Sequence, residues 1–553
     1  MVLHDALEAG HFRLANFLFL LYTSDRYLSD KTKERYMKNS SYIHGQYPAP
    51  KSNQVGLFYF LWLGEHGRHK PYDVSKIVAE HPDAGYHPKA EYWGGYGVYH
   101  HWGEPFYGYY YSDDEWVVRR HMKLILQSGV DFLYFDTTNA VIYEKNAKLV
   151  LRVLQEYHDD GWRIPQVMFY TNTRSGETTE RIYETIYKPN YCPDTWYYID
   201  GKPAIIAFEE ELSDEMRNFF TVKIPQWPNE PDKVGGWPWM DFTRPQRIFE
   251  DVNGRPECIN VSIAQHPQLR FGDSVLYGET GNCGRAFHNG TNDPDPEAYK
   301  YCGNMIEQFE RALEADVPYT LVTGWNEWIA GYWGGIPERP VMFVDCANYE
   351  YSRDIEMMRG GYFDNYYVKL CEYVAKLKGK EPEVCCTVGE CVTFYGFSDG
   401  AMHRNHPGYG CTYENCSGRY SLKSLTVENG TDEFRFTLET SETIDRNDTS
   451  GTFLQILINP DVPGNGEYAC AINTSPDFAA GMTAIRTPAG EIAVPMSFSE
   501  NTLTVSVPKS VLNGDVLYLK ACDSRDPIVS VEDFYDHGDV IPMGRADFCV
   551  ILK

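Results

Sequence analysis

The sequence predicts an α/β fold, a (β/α)8 TIM-type barrel, followed by an all-β sandwich domain. From residue 55 to about residue 378, short apolar runs alternate with amphipathic helical patterns, as they do in βα units. Across residues 386–553 the helical period gives way to alternating strands separated by Gly, Asn, Asp and Pro turns. No G-x-G-x-x-G or Walker sequence follows any strand, which counts against a nucleotide-binding open sheet. Residues 1–54 read as a polar lead-in.

Seven strands are predicted in the barrel region. The first is VGLFYFLW (55–62), and the helix after it begins at a capping box of Ser112 and Glu115 and ends at Gly129. The spacing fits a barrel with long loop insertions better than an open doubly wound sheet. The other predicted strands cover residues 131–139, 164–172, 202–208, 234–241, 258–265 and 317–328.

The C-terminal region contains alternating strands such as EFRFTLET (433–440), TFLQILIN (452–459) and TLTVSVP (502–508). Little helical periodicity accompanies them, which indicates a β-sandwich. Since no low-complexity linker separates the two regions, we expect the two domains to pack tightly against each other.

The charge balance excludes one class of partner. Fifty Lys and Arg against 78 Asp and Glu leave a net charge of −28, which repels polyanions, so nucleic-acid binding is not expected. No run approaches the ~18 apolar residues of a membrane span. The run 14–22 lacks an A-x-A cleavage site and follows an acidic stretch, so we do not identify it as a signal peptide. A cytoplasmic location is therefore favoured, or a secreted or periplasmic one if a leader has been removed.

The fourteen cysteines are too sparse for a disulfide scaffold and include no CxxC pair. Five of them crowd together, and we expect one or two disulfides or free thiols there in preference to a zinc site, because the spacing and histidine partners of a zinc site are wrong. No metal and no organic cofactor are predicted. The five are Cys385, Cys386, Cys391, Cys411 and Cys416.

Candidate binding residues follow from the barrel, whose reactive groups lie at the carboxyl ends of the strands. The residues there are mostly indoles, amides, imidazoles and carboxylates, which suit sugar rings and their hydroxyl groups. An aromatic-lined peptide groove would have a similar composition. The candidates are Trp62, His66, Asn139, Tyr170, Trp237, Trp239, Gln265, His266, Trp325, Asn326 and Trp328, with His100, His101, Trp102 and Glu104 from the loop HHWGEP.

Candidate catalytic residues are the carboxylates at the same strand ends, because glycoside cleavage needs two carboxyl groups ~5–5.5 Å or ~6.5–9.5 Å apart. Glu327 is the best acid/base candidate: it follows an apolar strand between two indoles, which would favour a protonated general acid by desolvation. Asp136 is its expected partner, with Asp241 and Glu350 competing. Each of them also has a structural interpretation, as a helix cap or loop brace.

Three segments carry a family resemblance: YFLW (59–62), VDFLYFDTTN (130–139) and TGWNEWIAG (323–331). With them, the region 55–378 resembles the glycoside hydrolase family 99-like group, which includes endo-α-mannosidases and WbsX-type proteins. YSRDIE (351–356) is similar to the closing segment of related bacterial proteins. The resemblance implies a (β/α)8 barrel and matches Glu327 to the first Glu of the family's Asn-Glu-Trp-x-Glu motif. At the second Glu position this chain has Ala330.

These observations predict a glycoside hydrolase that acts on a polysaccharide or glycan. A catalytically inactive glycan-binding protein is the first alternative, since Ala330 replaces the second motif Glu. A glycosyltransferase is a weaker alternative, because no phosphate-cradling loop or DxD-type motif ends a strand. The sugar, the linkage, the stereochemical outcome and the oligomeric state are left open by the sequence.

Overall fold

A computed structural model describes residues 53–267, 276–277, 281–343, 348–379 and 384–553. The predicted lead-in, residues 1–54, lies outside the described residues except for its last two.

Eight parallel strands form a nearly closed barrel in chain order. Each strand from β1 to β5 pairs with the next one, and β8 pairs with both β1 and β7, so the barrel is open between β6 and β7. Between β6 and β7 the antiparallel strand Ile248–Glu250 joins the edge of β7. The parallel strands are β1 (Gln54–Tyr59), β2 (Phe132–Thr137), β3 (Gln166–Thr171), β4 (Lys202–Ile206), β5 (Thr221–Gln226), β6 (Gly236–Pro238), β7 (Pro256–Ser262) and β8 (Tyr319–Thr323).

Helices cover six of the eight connections, so the βα repeat is incomplete. The connections after β5 and β6, which the structure describes in full, contain no α-helix. The barrel fold is thus confirmed only at the level of a TIM-like barrel. The helices around it are α1 (Val74–Glu80), α2 (Glu115–Ser128), α3 (Glu144–Asp159), α4 (Ser175–Ile182), α5 (Asp214–Phe219), α6 (Gly303–Ala315) and α7 (Asn365–Lys378).

The sequence pattern predicts the end of the α2 helix correctly but places its N-terminal cap two residues too early. Its C-terminal Gly129 has a φ of 77°, as a glycine cap requires. At the N-terminus the capping residue is Asp114, whose carboxylate accepts the Val117 N–H at 3.5 Å. The predicted Ser112 instead holds the Leu63 N–H at 3.0 Å, which ties the helix entry to the end of the β1 segment.

Strand alternation separates two apolar cores. Phe58, Tyr134, Tyr170 and Leu321 belong to the cluster that fills the barrel. Their neighbours along the strands, such as Leu133, face outward and join the cluster formed with the helices. The barrel is therefore a packed core, and its carboxyl end is the surface on which a site can be built.

The C-terminal region is all-β, as predicted. Its twelve strands form one continuous sheet that wraps around a single core, in a more barrel-like arrangement than the two separate sheets of the predicted sandwich. The strands are β9 (Cys385–Cys386), β10 (Cys391–Tyr395), β11 (Leu422–Asn429), β12 (Glu433–Thr440), β13 (Thr452–Pro460), β14 (Cys470–Ile472), β15 (Met482–Thr487), β16 (Gly490–Phe498), β17 (Thr502–Pro508), β18 (Val516–Ser524), β19 (Asp539–Ile541) and β20 (Phe548–Leu552).

Shorter elements complete the structure. A hairpin of Ile329–Ile336 and Arg339–Phe343 follows β8 and pairs with Tyr99–His101 of the long insertion after β1. In the described part of the chain, no helix has the length and apolar character needed to cross a bilayer. The remaining elements are Tyr198–Ile199, Phe287–His288, Thr291–Asn292, Arg404–Pro407, Thr412–Asn415 and the helix α8 (Asp533–Asp536).

Polar contacts join the two regions through buried side chains. Arg404 forms an ion pair with Asp114, the cap of α2, at 2.8 Å. Gln127 of α2 donates to the Met543 carbonyl at 3.1 Å and accepts the Met543 N–H at 2.9 Å. These contacts agree with the expected tight packing, while the domain limits at 378 and 386 remain a prediction.

Candidate functional site

Glu327 lies beyond the carboxyl end of β8, in contact with a buried cation. The guanidinium of Arg353 donates to Glu327 Oε2 at 2.7 Å, and the two side chains are 1% and 9% exposed. A guanidinium at this distance favours the ionised carboxylate. The environment therefore differs from the predicted one, in which the flanking indoles alone surround Glu327 and favour its protonated form.

Asp354 holds the backbone of Glu327. Its carboxylate accepts the Glu327 N–H on one oxygen and the indole N–H of Trp102 on the other, the latter at 2.7 Å. Asp354 is fully buried, and this burial raises its pKa to about 7. The neighbouring residues Arg353 and Asp354 thus fix Glu327 through its side chain and its backbone.

Arg285 fixes this segment in turn. Its buried guanidinium donates to the Asp354 carbonyl at 2.8 Å and to Ser352 Oγ at 3.1 Å. The same guanidinium lies 4.4 Å from the ring centre of Tyr366 and 4.6 Å from that of Tyr362. Because the segment is anchored in the core, Glu327 is held in a rigid position.

A second polar cluster lies at the ends of β1 and β2. The Tyr143 hydroxyl accepts from Asn139 Nδ2 at 2.7 Å and contacts His66 Nε2 at 3.1 Å. The His66 ring stacks on Tyr99 at 4.4 Å and meets the Trp62 ring edge-on at 5.4 Å. Burial lowers the pKa of His66, which favours the neutral imidazole. Three predicted binding residues are therefore brought together here.

Asp136 belongs to the same end of the barrel. It follows Tyr134 by two residues in β2, so it points into the barrel, and its carboxylate accepts from the Thr138 backbone and hydroxyl at 3.0 and 2.7 Å. The strands β2 and β8 both pair with β1, which places them about 10 Å apart. Asp136 and the segment that carries Glu327 thus follow the two strands that flank β1.

Half-buried aromatic side chains at this end include Trp62, which sequence analysis predicted, and Trp227 and Phe242, which it did not. Trp62, Trp227 and Phe242 pack on the barrel core and stay partly exposed after β1, β5 and β6. Trp227 contacts the ring of Trp239 at 5.2 Å, and Trp239 lies 5.4 Å from the Arg353 guanidinium. Phe242 contacts His266 at 5.2 Å. Of these rings, Trp239 lies against Arg353, which in turn holds Glu327.

The indoles of Trp102, Trp325 and Trp328 lie in the core behind Glu327. Trp102 and Trp328 stack at 4.4 Å, and Trp325 packs edge-on against His121 at 5.5 Å. All three indoles are at most 1% exposed. Asn326 is also structural in its contacts, since its side chain bonds the backbone N–H and carbonyl of Phe60 at 2.9 and 3.1 Å.

Two further predicted residues lie deep within the barrel. Trp237 contacts Phe132 and Tyr319, the first residues of their strands, so its indole is at the opposite end of the barrel. Tyr170 is fully buried and its hydroxyl donates to the Trp237 carbonyl at 3.0 Å. The structure does not bring either side chain to Glu327.

The two histidines of the loop HHWGEP pack among aromatic side chains and do not face the strand ends. His100 is enclosed by Trp93, Tyr332 and Phe343, and burial lowers its pKa to about 4. Burial lowers the pKa of His101 to about 3. Glu104 forms ion pairs with Lys76 and Arg359 at the surface, at 2.7 and 3.3 Å.

The remaining predicted carboxylates and amides are held by neighbours. Asp241 accepts from Arg247 at 2.8 Å and is fully buried. Glu350 accepts the Ala286 N–H at 3.0 Å. Gln265 donates to Gln308 at 2.9 Å and is also buried.

Two groups of side chains outside the barrel end have spacings that suit a metal. His537 contacts Asp536 and Asp533 at 3.0 and 3.1 Å, and the Asp536 carboxylate raises the pKa of His537, which favours an ion pair over a metal ligand. The other group is His158, Asp159 and Asp194. In the second domain, Cys386, Cys411 and Cys416 carry free thiols.

Sequence analysis missed Arg353, Asp354 and Trp227. YSRDIE (351–356) was noted only for its family likeness, and Arg353 pairs with a residue 26 positions away, which no local pattern reveals. Trp227 was missed because β5 was missed. Had a strand been predicted at residues 221–226, between the predicted strands 202–208 and 234–241, Trp227 would have been identified as the residue at its carboxyl end.

Comparisons with known proteins give distant likenesses. No protein-family profile and no curated protein matches the chain. Among solved structures, the GH99 endo-alpha-mannosidase from Bacteroides thetaiotaomicron is 13% identical, with a TM-score of 0.35 over 59% of this chain and 97% of the mannosidase. A glycoside hydrolase-like protein is 12% identical, with a TM-score of 0.32 over 62% of this chain and 98% of that protein. Likenesses at this level do not identify the chemistry of the site, which has to be argued from its side chains.

Proposed function

We propose that the protein is a glycoside hydrolase that cleaves a glycan at the carboxyl end of its barrel. The observation that carries the proposal is the Glu327 carboxylate, held by Arg353 and Asp354 at a barrel end that also carries half-buried aromatic rings. Aromatic faces cover the C–H faces of sugars, and amide and imidazole groups bond their hydroxyls.

The Arg353 contact determines which catalytic role suits Glu327. An ionised carboxylate acts as general base, as nucleophile or as electrostatic stabiliser of an oxocarbenium-like transition state. A second carboxyl group is then needed as the general acid that protonates the leaving group when the glycosidic bond breaks. This assignment differs from the acid role that the sequence predicts for Glu327.

Asp136 is the favoured proton donor. It lies inside the barrel on the other side of β1 from Glu327. Asp241 is a weaker candidate, because Arg247 already contacts both of its oxygens. Glu350 is engaged by the Ala286 N–H, which favours a structural role.

A specific observation supports the alternative of a catalytically inactive glycan-binding protein. Ala330, which stands at the second Glu position of the resembled motif, is buried in a strand and pairs with His100. No side chain of the motif is therefore available there as a second carboxylate. The two functions differ in whether bound glycans are cleaved.

The experiment that tests the proposal is a hydrolysis screen over plant, fungal and host glycans with wild type, E327Q and the control E210A, in which an exposed Glu changes. We expect E327Q to lose about 10²–10⁴-fold in turnover while it keeps its affinity for the glycan. Near wild-type turnover by E327Q would show that the assignment is wrong. Binding of glycans by wild type without cleavage would favour the inactive binding protein.

A further inference from the structure

We propose that Trp227 and Trp239 form a sugar-binding subsite on the β5 and β6 side of the barrel end, occupied by a neutral ring of the glycan whose neighbouring part is cleaved at Glu327. The inference rests on the proposed function, since it names a further part of the same site. Trp227 would stack on the sugar, and the Trp239 indole N–H would donate to a sugar oxygen.

The position of Trp227 supports a binding role. It is the first residue after β5, so it lies at the carboxyl end of the barrel, where its ring packs on the barrel core and stays partly exposed. The contacts run without a break from Trp227 to Trp239 at 5.2 Å and from Trp239 to Arg353 at 5.4 Å. Arg353 holds Glu327 at 2.7 Å, so this subsite adjoins the reacting carboxylate.

Trp239 supplies an independent observation. Its side chain is 5% exposed, and its buried Nε1 has no hydrogen-bond partner among the residues that the structure describes. A buried N–H without an acceptor is costly, and a ligand oxygen would satisfy it. By contrast, the Trp237 indole two residues earlier donates to Glu257 at 3.0 Å.

The loop that carries Trp227 is preorganised. The fully buried amide of Gln226 donates to the Trp227 carbonyl at 2.9 Å and accepts the Lys233 N–H at 2.8 Å. The Trp227 N–H donates to Glu230 at 3.1 Å. An aromatic ring held in this way loses little conformational entropy when it binds a ligand.

The charges of this loop favour a neutral sugar. Lys233 pairs with Glu230 at 2.7 Å, and Asp232 pairs with Arg247. No cation of this loop is thus left for a uronate or sulfate group, and the net charge of −28 opposes polyanionic glycans.

The test measures binding without cleavage. Four proteins are compared: E327Q, and E327Q combined with W227A, with W227F or with the control change Y198A. Each is run through gels that contain yeast mannan, laminarin, xylan or soluble starch, and retention in the gel measures binding. Tyr198 is a matched control because it is 42% exposed and lies beside the amino end of β4, at the opposite end of the barrel from Trp227.

For the polysaccharide that retains E327Q, we expect W227A to weaken binding about tenfold. W227F is expected to keep most of the retention, and Y198A is expected to leave it unchanged. Equal retention of W227A and Y198A at equal thermal stability would overturn the subsite, as would the absence of retention of E327Q by all four polysaccharides. If retention depends on Trp227 but wild type hydrolyses nothing, the subsite stands and the proposed hydrolase activity fails. If wild type hydrolyses a glycan with a KM that W227A leaves unchanged, the hydrolase stands and the subsite fails.

Discussion

Glu327 and Glu356 are two hydrogen-bonded carboxylates near the same end of the barrel, and their surroundings differ. Glu356 accepts from His121 at 2.9 Å, Tyr110 at 2.7 Å and Trp328 at 2.5 Å, and its side chain and that of His121 are both fully buried. Glu327 keeps 9% of its side chain exposed beside Arg353.

This difference indicates a structural role for Glu356 and a chemical role for Glu327. The three donors around Glu356 nearly saturate its oxygens and leave no access for a substrate, so the residue stabilises the fold. Glu327 is held by a guanidinium, oriented and partly accessible, as a reacting carboxylate has to be. The exposed fraction of a carboxylate and the number of its hydrogen-bond donors therefore indicate its role better than its position in a sequence motif does.

The largest effect on stability is expected for E356A. The change leaves His121, Tyr110 and Trp328 without their acceptor in the core, and each buried donor left unsatisfied costs about 1–3 kcal/mol. Thermal and urea unfolding measure this, with E210A as the exposed control. Unchanged unfolding, or a loss of activity at full stability, would assign Glu356 to the site instead.

A smaller effect, on pH dependence, is expected for R353M. Without the guanidinium the ionised form of Glu327 is less favoured, so the acidic limb of the kcat/KM profile moves to higher pH. R353K keeps the charge and is expected to move the limb less. A limb at the wild-type pH in R353M would exclude Glu327 as its origin.

The smallest effect is expected for D354N and D539N. Burial raises the pKa of both carboxyl groups to about 7. The native state therefore binds more protons than the unfolded chain above about pH 4, so each group's contribution to stability is present at low pH and is lost as the pH rises through 7. Each variant is expected to flatten the fall of Tm between pH 5 and pH 8, with E210A as the control. An unchanged slope would contradict the buried titration.

The fold was more predictable than the site, for physical reasons. Buried parallel strands are continuous apolar runs, which made seven of the eight barrel strands visible in the sequence. The strand β5 was missed because Lys223 and Pro225 interrupt TVKIPQ and no helix follows it.

The candidate site depends on contacts that residue spacing does not show. The sequence places Trp325, Glu327 and Trp328 together, but it does not show which side of the segment each one faces. The structure turns the two indoles into the core and pairs Glu327 with Arg353. Likewise, the sequence does not show that Arg247 pairs with Asp241. Only the structure shows this contact, which indicates a structural role for Asp241.

The ion pair between Arg404 and Asp114 has a consequence for synthesis on the ribosome. The two residues are 290 positions apart, and Asp114 caps the α2 helix. At about 5–20 residues per second, the ribosome needs about 15–60 s to make the chain between them. During that time the nascent barrel exposes the α2 surface that the C-terminal sheet later covers, so a chaperone or a slow release from the ribosome would have its greatest effect in this interval.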